Sequence, residues 1–122
     1  MSTITVTNIK ATGETASREV SGVAGLGINF DGTGTISTRD SVNVASIADN
    51  GTGEYTVNNT NNFANANYFT VVSSSNNGMS NTDSMGNPFG ATTSLFKVGT
   101  NNNSGTATDR SHIACIITGD LA

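Results

Sequence analysis

Tryptophan is absent from this chain of 122 residues, and cysteine, proline and histidine occur once each. The single Cys115 excludes an internal disulfide, and with His112 as the sole imidazole there is no His/Cys cluster to hold a structural zinc. Charge is scarce as well: 11% of residues are charged and 34% hydrophobic, against roughly 25% and 45–50% in ordinary soluble chains. Five scattered basic residues and a net charge of −4 leave no electrostatic footprint for nucleic acid. No apolar run approaches the ~18 residues of a membrane helix. Met1-Ser2-Thr3-Ile4 opens a strand-like alternation in place of a charged and then apolar leader. The expectation is a soluble chain made in the cytosol, without membrane insertion.

Asn, Thr, Ser and Gly fill the gap and make up about half the chain. Low hydrophobicity alone would suggest disorder, but disorder normally comes with abundant Pro, Lys and Glu and high net charge. A thin β-sheet protein with neutral polar faces fits better. Its length suits one domain, divided into an N-terminal strand or anchor segment, 1–24, and a β-sandwich domain, 25–122. Burial stabilises by about 25 cal/mol per Å² of apolar area, so few large side chains mean a lean core. With no disulfide or metal, oligomerisation is the remaining device for a small scaffold.

The strand signals run along the whole chain. Ser2 to Ile9 alternates polar residues with Ile4, Val6 and Ile9, the candidate anchor. Ala16 to Val23 reads as a strand or an extended arm. Asp31-Gly32, between Gly27-Ile28-Asn29-Phe30 and the run Thr33 to Thr38, predicts a type I′ hairpin. Ser41 to Ile47 alternates with period two, and Glu54 to Asn58 returns after the Asp49-Asn50-Gly51-Thr52-Gly53 turn, so 27–59 reads as a four-stranded meander. Tyr68 to Ser73 is a strand rich in aromatic and β-branched residues. Thr93 to Val98 and Ala107 to Ile117 supply the last strands. The fold class is all-β, an antiparallel β-sandwich or an intertwined β-trimer. The expected apolar face comprises Ile28, Phe30, Ile36, Val42, Val44, Tyr55, Val57, Phe69, Val71, Ile113, Cys115 and Ile117.

Chemistry-bearing motifs are weak. His112 and Cys115 lie three apart in one expected strand, so they point to opposite faces and form no thiolate–imidazole pair. The 49–54 turn lacks the alternating ligands and distal Glu of a calcium loop. The glycines of 25–34 have neither lysine nor following helix for a phosphate loop. The carboxylates are dispersed, without the close pair a glycosidase would bring together. Asn50, Asn58 and Asn102 each begin an Asn-x-Ser/Thr triplet, which chance supplies in so Asn- and Thr-rich a chain. The expectation is no enzyme, no cofactor and no metal. The polar excursion 74–91 is long enough to be functional. Asn76, Asn77, Met79, Met85 and Phe89, together with Asn101, Asn102 and Asn103, form the candidate contact loops.

Three stretches carry a resemblance: Met1 to Lys10; Ile28-Asn29-Phe30-Asp31-Gly32-Thr33-Gly34-Thr35; and the run from Arg39 through Asp49-Asn50-Gly51-Thr52-Gly53-Glu54-Tyr55-Thr56-Val57-Asn58. With the closing Gly119-Asp120, they make the chain resemble small fibre-like or knob proteins on the particles of tailed bacteriophages, notably cyanophages. Gly27 departs from the pattern, which often has an aromatic residue there, and 74–106 lies outside it. The resemblance implies a β-rich homotrimer on the virion surface, anchored to other virion proteins through 1–24. Its distal loops would attach to the host, and their neutral hydroxyl and amide side chains suit hydrogen bonding to a surface glycan. The alternative it implies is a capsid decoration protein that stabilises the head lattice.

Overall fold

The computed structural model describes residues 5, 8, 9, 12, 18, 19, 24–76 and 85–122. Ten strands lie among them: β1 Asn8–Ile9, β2 Arg18–Glu19, β3 Ala24–Asp31, β4 Ser37–Val42, β5 Val44–Gly51, β6 Glu54–Asn59, β7 Phe69–Ser75, β8 Met85–Phe89, β9 Leu95–Asn101 and β10 His112–Thr118. β1 pairs with β2. The rest form two antiparallel four-stranded sheets, β4-β3-β10-β7 and β5-β6-β9-β8, packed face to face as a β-sandwich.

Period-two alternation explains the core. Leu26, Ile28 and Phe30 on β3 and Ile113, Cys115 and Ile117 on β10 point inward, toward Tyr55 and Val57 on β6 and Phe96 and Val98 on β9. Phe30 and Tyr55 meet edge to face across the sheets, with centroids 5.2 Å apart and an interplanar angle of 76°. This geometry suits the ring quadrupoles. Phe63, in the β6–β7 connection, plugs one end and packs on Tyr68 at 4.6 Å.

Several expectations need correction. The stretch from Ser41 to Ile47 is not one strand: at Asn43 the backbone takes φ 59° and the chain passes from one sheet to the other. The expected 27–59 meander is therefore two hairpins in different sheets. Asn43 secures the crossing by donating from Nδ2 to Gly25 O at 2.8 Å and Asn61 O at 3.1 Å, while its Oδ1 accepts from Asn61 N at 2.7 Å. Asn tolerates the left-handed region where most side chains do not. An Asn43→Ala variant loses both the bonds and the tolerance and is expected to cost about 2–3 kcal/mol in urea unfolding; Asn43→Gly, which keeps only the backbone freedom, should lose less.

The Asp31-Gly32 pair does not make a two-residue turn either. Residues 32–36 connect β3 to β4, with positive φ at Gly34 instead. Gly32 is buried because the Tyr55 phenol lies over it: an added Cβ would stand 2.6 Å from Tyr55 Cζ. Val42, Phe69 and Val71, expected inside, are 60%, 79% and 67% exposed. Ile36 and Val44 are only partly buried against the core.

Candidate functional site

The two outer faces of the sandwich differ in chemistry. On the β5-β6-β9-β8 sheet, polar side chains satisfy one another across strands. Asn50 Nδ2 donates to Thr56 Oγ1 at 2.7 Å, Asn58 Nδ2 to Ser46 Oγ at 3.0 Å, and Lys97 Nζ to Glu54 Oε1 at 2.9 Å. The Lys97 ammonium also stands 5.6 Å from the Phe89 ring centroid. Such a face is adapted to water.

The β4-β3-β10-β7 sheet is different. Register places Val42 beside Gly27, Gly27 beside Ile116 and Ile116 beside Val71, one unbroken row across all four strands. Ile116 is 53% exposed, and Phe69 follows Val71 on the same face of β7. Gly27 leaves a gap in the row, where an added Cβ would meet nothing within 4 Å. The result is a shallow trough of about 360 Å³ with Val42, Val71 and Ile116 along its rim. Toward the opposite end of the strands the face becomes polar. There Arg39 Nη2 bonds Asp31 Oδ2 at 3.1 Å and Ser111 O at 2.7 Å. Hydrogen bonds from the Thr33 hydroxyl and amide hold the Asp31 carboxyl below the usual carboxylate range, with a smaller contribution from Arg39.

At that polar end the connections 32–36, 52–53 and 102–111 are tied together. Tyr55 Oη donates to Gly32 O at 3.0 Å or to Asp109 Oδ1 at 2.9 Å, and Gly53 N donates to the same Asp109 oxygen at 2.7 Å. Burial, and then the hydrogen bond to Asp109, push the Tyr55 phenol well above its ordinary value. Residues 102–106 form a compact loop in which Asn102 Oδ1 accepts from Ser104 N and Thr106 N. Asn103, Ser104 and Thr106 are exposed at its tip.

The expected contact residues are only partly gathered. Asn76 closes β7 and accepts from Ser111 N at 3.3 Å, which draws it to the 102–111 loop. Met85 opens β8 opposite Asn101 in the sheet register, near Asn102 and Asn103. Phe89 is separated from them: it ends β8 opposite Lys97, about 13 Å along the strand at ~3.3 Å per residue. Asn77 and Met79 lie outside the described residues, as do the anchor residues Ile4 and Val6, while Ile9 pairs with Arg18 in the β1–β2 ladder. His112 is exposed and Cys115 buried on opposite faces of β10, and burial pushes the thiol up to about 12. Among the described residues no three His, Cys, Asp or Glu side chains converge as a metal site would require, and no helix is long and apolar enough to cross a membrane.

The apolar row was not foreseen as a surface. Val71 and Ile116 lie in strands whose apolar residues occupy both parities, and Val42 sits at the crossing between the sheets, so only the sheet register separates inward from outward. No known family model, curated protein or solved structure matches the chain.

Proposed function

We propose that the protein is a non-enzymatic, homo-oligomeric structural component of a bacteriophage particle surface that touches the host through its distal loops. The observation that carries the assembly half is the contrast between the two outer faces. One is a ladder of paired polar side chains; the other holds Val42, Val71, Ile116 and Phe69 out to solvent. Isolated apolar residues on a surface are ordinary, but a contiguous apolar row marks a contact site. The attachment half is supported by the 102–106 tip, where exposed Asn103, Ser104 and Thr106 offer neutral donors and acceptors suited to sugar hydroxyls. The placement on a virion rests on the sequence resemblance.

Competition tests the attachment reading: purified protein added in excess should reduce phage adsorption to host cells, and substitution of Asn103, Ser104 and Thr106 by alanine should abolish the competition. Antibody labelling that places the protein across the head lattice in many copies, with adsorption unaffected, would replace attachment by decoration.

A further inference from the structure

Resting on the reading of the protein as a homo-oligomer, we propose that the apolar face of the β4-β3-β10-β7 sheet is covered by the same face of a second copy, about a twofold axis running parallel to the strands between β3 and β10. The order of the strands makes this face complementary to itself. In the row Val42–Gly27–Ile116–Val71, β3 carries a gap where β10 carries a protruding side chain, and each outer strand carries a valine. Rotation about that axis exchanges β3 with β10 and β4 with β7. Ile116 of each copy then seats over Gly27 of the other, and Val42 of each copy meets Val71 of the other.

The neighbouring row agrees. It places Asn29 over Ala114 and Asp40 over Ser73, so no carboxylate faces a carboxylate there and none is driven onto the apolar row. Isologous contacts of this kind use one patch twice and close on themselves. Sheets stack about 10 Å apart when side chains interdigitate, and a protrusion opposite a gap allows that without displacing either backbone.

The area is of the right order. Val42, Phe69, Val71 and Ile116, at exposures of 60%, 79%, 67% and 53%, contribute on the order of 400 Å² of accessible surface, taking ~150–250 Å² for a whole aromatic side chain and less for aliphatic ones. With the polar half of the four-stranded face added, each copy approaches the ~800 Å² per partner of a standard interface. The polar outer face of the other sheet offers no equivalent, which assigns the pairing to one side of the sandwich.

Sedimentation equilibrium of the full chain reads the result, with circular dichroism to verify folding. The wild-type protein should show a dimeric mass at micromolar concentration. Ile116→Ala removes the protrusion and Gly27→Leu fills the gap; because each change enters twice per pair, each should weaken association by about tenfold or more. The double variant, with the large residue moved from β10 to β3, should recover to within about threefold of wild type, since the exchange preserves complementarity. Ala48→Leu on the polar sheet should leave the mass unchanged. Gly27→Leu enlarges the apolar surface, so tighter or unaltered association in that variant would overturn the proposed seating. A trimeric mass insensitive to Gly27→Leu and Ile116→Ala would overturn the pairing while leaving the homo-oligomeric role intact. A monomeric mass would overturn both.

Discussion

Gly53→Ala is expected to lower the unfolding free energy by about 3 kcal/mol or more, because left-handed strain and a backbone clash coincide at this residue. Gly53 has φ +69°, and an added Cβ would press on Thr100 O while standing 2.7 Å from Thr108 N. Both neighbours are backbone atoms held in place. Thr100 N donates to Gly53 O at 2.7 Å, Thr108 N donates to Thr100 O at 3.0 Å, and Gly53 N donates to Asp109 Oδ1 at 2.7 Å. Relief would require the β5–β6 turn to move away from β9 and the 102–111 loop, and the Tyr55–Asp109 hydrogen bond would be disturbed with it. Gly105 is the control, with φ +79° and no atom within 4 Å of an added Cβ, so Gly105→Ala should cost only the strain, about 1–2 kcal/mol. At about 4 °C per kcal/mol for a chain of 122 residues, thermal melting should drop by ~12 °C or more for Gly53→Ala. A drop no larger than that of Gly105→Ala would remove the clash from the explanation.

Alkaline pH should unfold the protein, beginning near the ordinary ionisation of a thiol. Burial raises Cys115 from 9.0 to about 12, and burial with the Asp109 hydrogen bond raises Tyr55 above 10.0. A group whose folded pKa is raised contributes its full stability below its unfolded pKa and loses it as pH climbs through the folded value. Stability should therefore be level with respect to these two groups up to about pH 9 and fall beyond it. By pH 11 the loss from Cys115 alone is on the order of 3 kcal/mol, at 1.36 kcal/mol per pKa unit. Tyr55 adds to the slope above pH 10. In Cys115→Ala the descent should begin about one pH unit later, on top of a pH-independent cost for the small cavity. Denaturant midpoints measured from pH 7 to 11 decide this, and an unchanged alkaline slope in Cys115→Ala would contradict it. A thiol reagent at pH 8 should react only as fast as the protein unfolds.

How far the fold could be read from sequence depended on whether apolar residues kept one parity within each strand. On β6, Tyr55 and Val57 are inward with polar residues between them, so that face was legible; on β10 the inward set Ile113, Cys115 and Ile117 was legible too, but the outward Ile116 beside it was not. On β7, Phe69, Val71 and Val72 occupy both parities. The aromatic residue suggested the inward set, whereas the sheet buries the other one, with Val72 packed against the core and Phe69 and Val71 outside. Val42 was hidden by the crossing at Asn43, because an alternation that continues through a change of sheet looks like one strand. Phe96 and Val98 alternate on β9 within a span expected as strand, with Leu95 on the other parity beside them, and were missing from the expected apolar face. Phe63 had no periodic signal: it stands in an Asn- and Ala-rich connection, and the end of the sandwich buries it. The candidate surface was least legible, since its defining element, a glycine between two exposed aliphatic residues, exists only across strands.

The place of β10 between β3 and β7 bears on how the molecule comes to be folded. Cys115 pairs with Ile28 on one side and Val72 on the other, so the strand that leaves the ribosome last of the ten is the one that joins an early strand to a later one. Until it arrives, the β3–β4 hairpin and β7 have no common partner and the core lacks Ile113, Cys115 and Ile117. Contacts so distant in sequence close slowly, since loop entropy is lost before burial compensates. During that interval β3 presents an unpaired edge and a bare apolar surface. A slow refolding phase, read by stopped-flow fluorescence or circular dichroism, is the expected kinetic counterpart of this strand order.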